Sequence, residues 1–402
     1  MAADTSWGGH VIDGFEPVRE AFREVIDHHP GGAALSVYRD GQEVVDLWGG
    51  VSPATGRPFT GDSLVVTMSC TKGMTTICAL MLAQEGLLDL DAPVARYWPE
   101  FAQAGKGDIP VRWLLTHQAG LPALDPDLDA GPEQTLDNQF VIDTLARQEP
   151  MWEPGTLQAY HGVTFGHLVG EVIRRVSGLT AGQYLAKHVA GPLGLDYWIG
   201  LPEAEESRVL PILPADDAPA PDPEFWRRLA EEHGIDPTRP MARALRAEHF
   251  PPPADPAWNT RPYHAAEFPA VNGIGTARSL TRAYAACIGP VDGIRLLYPE
   301  TVDAARTPQT DDVPLPEELA FLGTAPPPRR GLGFELPRPT VVPMLGEGSF
   351  GHTGAGGRLA FASPETGIAF AFTCDVMLWG GLDGPDPRWV PLLNALAETV
   401  RR

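Results

Sequence analysis

In the stretch "TMSCTKGMTTICALML", residues 67–82, Ser69 and Lys72 stand three positions apart at what reads as a helix start. In a helix that spacing puts both side chains on one face, with Cβ atoms about 5–6 Å apart. A serine hydroxyl is a poor nucleophile until a neighbouring group removes its proton. A lysine amine can do so once desolvation favours its neutral form. The chain carries 30 Lys plus Arg, of which only Lys72, Lys106 and Lys187 are lysines. Arginine stays protonated in proteins, so these three are the long cations able to act as bases. A helix N-terminus also offers the Ser69 N–H to a developing oxyanion. Taken alone, a Ser-x-x-Lys pair usually marks a solvated serine and a surface lysine. Here the pair sits among apolar residues, where a surface helix would show more charge.

The elements that must position this pair are legible around it. "GGAALSVYRDGQEVVDLWGG" reads as a hairpin turning at Asp40-Gly41. "RLAFAS" and "GIAFAFTC" form a second hairpin around Pro364-Glu365-Thr366. "DPRWVPLLNALAETVRR" reads as an amphipathic closing helix, with Trp389, Leu392, Leu393 and Leu396 at helical spacing. Strands near both ends of the chain predict one sheet built from both termini, with the middle as an insertion. The middle is helical in pattern. A helix is expected from Cys70 to Gln84 with Gly86 as its stop, a short one in "VRWLLTHQAGL" ended by Gly120, and one in "HGVTFGHLVGEVIRRVSGL" stopped by Gly178. Residues 201–262 are rich in Pro and acid and predict loops or a lid rather than core. The expected division is a sheet domain of residues 1–68 and 270–402 and a mostly helical domain of residues 69–269.

Composition bounds the function. The chain has 402 residues, 43% hydrophobic and 20% charged, with a formal charge of −22. That fits a globular protein with a sizeable core. No stripe of Lys and Arg offers a nucleic-acid surface. The N-terminus lacks a basic start followed by an apolar run, and no segment approaches the ~20 apolar residues that span a bilayer. Cys70, Cys78, Cys287 and Cys374 show no CxxC spacing and read as reduced, buried thiols, which implies a cytoplasmic location. No Gly-x-Ser-x-Gly occurs, against an α/β-hydrolase nucleophile elbow. No HExxH occurs, and His28, His29, His161 and His167 lack metal-ligand spacing, so neither metal nor cofactor is expected.

Three motifs in order resemble one family. Ser69-Cys70-Thr71-Lys72 resembles the Ser-x-x-Lys of serine β-lactamases and penicillin-binding proteins. Tyr160, in "LQAYHGVTFG", resembles the tyrosine of the Tyr-x-Asn motif in class C β-lactamases and family VIII carboxylesterases. His352-Thr353-Gly354, in "GHTGAGG", resembles the Lys-Thr-Gly segment on the strand edging the site. "LLTHQAGL" and "NGIGTARSL" are further echoes of the same branch, and the resemblance runs from about residue 30 to the C-terminus.

The resemblance implies an α/β (α+β) fold of β-lactamase/transpeptidase type, an antiparallel sheet with flanking helices beside a mostly helical domain, and the site between them. It implies Ser69 as acyl-accepting nucleophile, Lys72 as its base and Tyr160 in the proton network. The N–H groups of Ser69 and Ala355 would form the oxyanion hole, and His352, Thr353 and Gly354 would border the substrate. Two departures stand out. Gly162 replaces the motif's amide-binding Asn, and His352, only partly charged near pH 7 at an ordinary pKa of ~6.5, replaces a permanent cation. Both point away from β-lactams and peptide amides, toward esters or uncharged acyl donors. Trp226, Trp258 and Trp379 are candidates for an apolar pocket wall. The expected activity is a serine esterase working on small-molecule esters through an acyl-enzyme. The alternative is an acyltransferase or cyclase handing the acyl group to an alcohol or amine. A β-lactamase or D-amino-acid peptidase ranks below these, and a non-catalytic binding protein last.

Overall fold

Alternation of large and small side chains decides how the sheet is covered. The computed structural model describes residues 7–215, 231, 249–317, 327–378 and 385–401. Its main sheet comprises β1 (Trp7–Val11), β2 (Gly32–Arg39), β3 (Gln42–Gly50), β4 (Phe350–Gly354), β5 (Arg358–Ser363) and β6 (Ile368–Cys374). The strand order is β1-β3-β2-β6-β5-β4, every neighbouring pair antiparallel. Both chain ends thus contribute to one sheet, and β2 and β6 join them at its centre.

Period two separates the two faces. Leu35, Val37, Leu47, Phe361, Phe370 and Phe372 point to one side. There α1 (Glu16–His28) and the closing helix α6 (Trp389–Arg401) lay down Val18, Phe22, Trp389, Leu392 and Leu396. The other face shows Ala34, Ala360, Ala362, Ala369 and Ala371. These short side chains let helix α5 (Ala277–Ile288) pack closely on the strands. Both hairpins turn where expected, the first through Asp40 (φ 49°) and Gly41 (φ 78°).

On the alanine side lies the helical part of the chain. Helix α2 spans Cys70–Gln84 and is buried on nearly all sides. A helix apolar all round belongs in the middle of a core. It packs against α4 (Thr164–Ser177), which ends at Gly178 (φ 75°), and its start lies against β4. The sequence-based expectation for "VRWLLTHQAGL" is corrected. The helix α3 is only Val111–Leu115, and residues 117–121 form a separate turn with His117 at φ 62°. Most of the 201–262 segment, residues 216–230 and 232–248, lies outside the described residues. Of its described residues, Leu201, Leu210, Ile212, Phe250 and Trp258 join the main core cluster, because apolar residues spaced between prolines still have surface to bury. Among the described residues, no helix is long and apolar enough to cross a membrane. All four cysteines are free and buried.

Candidate active site

A short three-stranded unit delivers Ser69. Val65–Val66 pairs with Ile274–Gly275, which also pairs with Tyr197–Trp198. The chain then turns sharply into α2. Met68 takes a left-handed φ of 50°, which a side-chain-bearing residue adopts only under surrounding constraint. The constraint is visible: the Thr67 N–H and Thr67 hydroxyl both donate to the Gly273 carbonyl, and the Gly273 N–H donates to Thr71 Oγ1. Ser69 caps the helix with φ −65° and ψ −8°.

Lys72 follows one turn later with no exposed surface. Its Nζ lies 3.2 Å from Ser69 Oγ and donates to the Gly162 carbonyl at 2.6 Å and to the Ala270 carbonyl at 3.0 Å, which leaves the lone pair of a neutral amine for the Ser69 hydroxyl. Burial drives its pKa well below the ordinary lysine value; the Glu335 carboxylate opposes this and Arg330 reinforces it. Among the described residues no carboxylate bonds the amine directly, so the neutral form loses little there.

Tyr160 is held over this pair by the 117–121 turn. The Ala159 N–H donates to the His117 carbonyl and the His161 N–H to His117 Nδ1. His161 Nε2 accepts from the Leu121 N–H while its Nδ1 lies 2.6 Å from the Ala159 carbonyl. A carbonyl only accepts, so Nδ1 carries the proton of a neutral ring. Burial agrees, lowering the His161 pKa to about 3. His117 packs on Tyr160 with ring centroids 5.0 Å apart. Lys72 Nζ sits 4.7 Å from the Tyr160 ring centroid. Tyr160 keeps 39% of its surface accessible, so one side of the ring is open. Even so, its surroundings raise the phenol pKa, chiefly by burial and then by Glu335, with the Ser69 hydroxyl and Arg330 pulling it back. Water at the open side weakens all of these effects.

Strand β4 closes the site. Cys70 Sγ donates to the His352 carbonyl at 3.3 Å, tying β4 to the start of α2. Gly354 is required by that approach, since a Cβ there would lie 2.4 Å from the Thr67 carbonyl oxygen. Among the described residues, neither the Ser69 N–H nor the Ala355 N–H has an acceptor. The expectation of a partly charged His352 is corrected. The ring is 2% exposed, its Nδ1 lies 2.7 Å from the Thr353 carbonyl, and burial brings its pKa down to about 4. Glu335 is 3.8 Å from the same Nδ1. An ion pair would have raised the histidine pKa, so the shorter bond to the carbonyl and a neutral ring describe the contact better. The Glu335 carboxylate accepts instead from the Thr353 N–H and Thr353 hydroxyl, both at 2.8 Å.

Of the other sequence candidates, Trp258 is 1% exposed. Its indole N–H donates to the Pro252 carbonyl and its ring packs on Tyr263 and Phe268, so it anchors its loop from inside the core. Trp226 and Trp379 lie outside the described residues. At Gly162 an added Cβ would meet only the Tyr160 ring, at 4.0 Å, so that position opens onto free space. Sequence reasoning missed three neighbours of the site: His117, Arg330 and Glu335. "LLTHQAGL" contained the first; nothing in "RRGLGFEL" distinguished the other two from ordinary surface charges.

The arrangement holds a hydroxyl against a buried amine, beside a phenol and two unengaged backbone donors, and such a set can support acyl transfer. Comparison with known proteins agrees with that chemistry. The family model described as Beta-lactamase matches residues 18–393. The chain is 36% identical over 356 residues to the esterase/beta-lactamase LipL of Mycobacterium tuberculosis, spanning 87% of this chain and 78% of that protein. The crystal structure of a family VIII carboxylesterase is similar with a TM-score of 0.82 and 32% identity, covering 98% of this chain and 100% of that one. A penicillin-binding protein homolog from Caulobacter crescentus is similar at a TM-score of 0.81 and 33% identity, again over 98% and 100% of the two chains.

Proposed function

This chain belongs to the β-lactamase family, and on that premise we propose that it is a serine hydrolase cleaving small-molecule carboxylic esters through an acyl-Ser69 intermediate. The observation that carries this reading is the 3.2 Å contact between Ser69 Oγ and the fully buried Lys72 amine. Lys72 takes the Ser69 proton as Oγ bonds to the ester carbon. The Ser69 and Ala355 N–H groups receive the oxyanion. Tyr160 relays a proton to the departing alcohol, and water then releases the acid. His352, Thr353 and Gly354 border the bound ester.

Two features favour esters over β-lactams. Gly162 brings no amide side chain, and His352, neutral near pH 7, brings no cation for a substrate carboxylate. The division into residues 1–68 with 270–402 and residues 69–269 places Ser69 and Tyr160 on one part and the β4 border on the other. The free, buried cysteines favour a reducing compartment such as the cytoplasm.

The test is hydrolysis of nitrophenyl esters by wild type and Ser69→Ala, with intact-mass detection of a phosphonate on Ser69. Turnover and labelling lost together in the variant support the proposal; equal rates in both proteins end it. Added alcohols or amines that divert the acyl group into new esters or amides would move the reading to acyl transfer on the same intermediate.

A further inference from the structure

With His352 neutral, the site lacks the cation that the sequence resemblance places on β4. A different positive charge stands nearby. Arg330 is 6% exposed, and its guanidinium carbon lies 5.3 Å from the Tyr160 ring centroid. Its Nε is sealed from water and, among the described residues, has no hydrogen-bond acceptor. Its backbone is fixed on two sides: the Arg330 N–H donates to Thr310 Oγ1, and Arg330 bridges to Glu335, which bridges in turn to Gly351 of β4. A buried guanidinium normally finds a carboxylate or carbonyl. The Arg330 guanidinium and the Lys72 amine both lie over the Tyr160 ring, 5.3 Å and 4.7 Å from its centroid.

We propose that Arg330 is a positioning residue whose fixed charge, seated on the Tyr160 ring, keeps the Lys72 amine free of its proton and steadies negative charge on the phenol oxygen. The inference rests on the role given above to Lys72. A cation over the same ring in a poorly solvated site disfavours a second cation. Burial is the larger effect on Lys72; among the charged groups facing it, Arg330 is the one that adds to that bias. Ser69 and Cys70 on its own helix are neutral, and burial pushes the Cys70 thiol up. Tyr160 is an un-ionised phenol. His117, His161 and His352 all have lowered pKa values. Glu335 is the opposing charge: burial resists its ionisation, but Arg338, Arg330 and the Thr353 N–H hold its pKa below the usual carboxylate value. Arg330 and Glu335 therefore act on the amine with opposite signs.

The chain's three lysines make a direct measurement practical. Full-length protein labelled with 13C at lysine Cε would give three signals, and the Lys72 signal would report its protonation whether or not an ester is turned over. In Arg330→Met its midpoint is expected at higher pH than in wild type, with the acid limb of ester kcat/KM moving the same way. Glu335→Gln should move both to lower pH. A Lys72 midpoint in Arg330→Met equal to wild type overturns the proposal, even if activity falls. If Arg330→Met does not fold, Glu335→Gln decides, because an unmoved midpoint there means this pair of charges does not set the amine. Absence of ester turnover with the expected midpoint shifts would instead count against the esterase reading alone.

Discussion

The Lys72 amine spends two of its hydrogen bonds on backbone carbonyls, Gly162 and Ala270, and leaves the third for the Ser69 hydroxyl. Those carbonyls come from positions 90 and 198 residues further along the chain. They aim the amine without charging it. A carboxylate in either place would have favoured the ammonium form and left the proposed base occupied.

Replacing that amine should remove catalysis while the fold survives. Lys72→Met keeps an apolar stem in the core and is expected to lower kcat/KM on nitrophenyl esters by about 10²–10⁴-fold. Lys72→Arg should not rescue, since a guanidinium cannot deprotonate at working pH. Steady-state kinetics beside a circular-dichroism melt checks both; wild-type rates in either variant would contradict the proposed role.

Tyr160→Phe isolates the phenol oxygen. The ring contacts with His117 and His352 remain, so the melting temperature is expected to stay near that of wild type. Loss of the proton relay should lower kcat by about 10²-fold or more. A fall in stability with little change in kcat would mean the residue only packs.

Gly354→Ala tests the closeness of β4 to the start of α2. The added Cβ must displace the Thr67 carbonyl, 2.4 Å away. Overpacking of this kind costs about 1–3 kcal/mol, readable as a shift in urea midpoint. Because Thr67 leads directly into Ser69, ester turnover should fall as well. An unchanged midpoint would show that the strand has slack.

Acid should loosen the fold through buried histidines. His167 packs against Phe250 and Phe268, neither ring nitrogen finds a close partner among the described residues, and burial lowers its pKa to about 4. Unfolded, it titrates near 6.5. Between those values the unfolded chain binds more protons than the native one, so stability declines as pH falls from about 6.5 toward 4. His161 and His352 add to the same slope. Melting temperatures from pH 7 to pH 5 should drop in wild type and drop less in His167→Phe. Parallel curves for the two proteins would remove His167 from the account.

Much of this architecture was readable before any coordinates. The Asp40-Gly41 turn, the second hairpin, helix Cys70–Gln84 and the stop at Gly178 depend on neighbours within a few residues, so local pattern suffices. The 117–121 turn was misread because its left-handed His117 is stabilised by the distant 159–161 segment, which leaves no local mark. Trp258 was proposed for a pocket because aromatic residues in a Pro-rich run look alike whether they face a cleft or a core.

Sequence alone put Ser69 and Lys72 on one helix face, since three residues of helix fix that geometry whatever surrounds it. It also put Tyr160 and the His352-Thr353-Gly354 strand in order along the chain. Only the tertiary structure decided the charges. Packing strips water from Lys72 and His352 and lowers both pKa values, that of His352 to about 4, while the guanidinium of Arg330 over the phenol holds its proton far more firmly than an amine or imidazole. Protonation depends on everything within several ångströms, and those neighbours arrive from parts of the chain that only folding brings together.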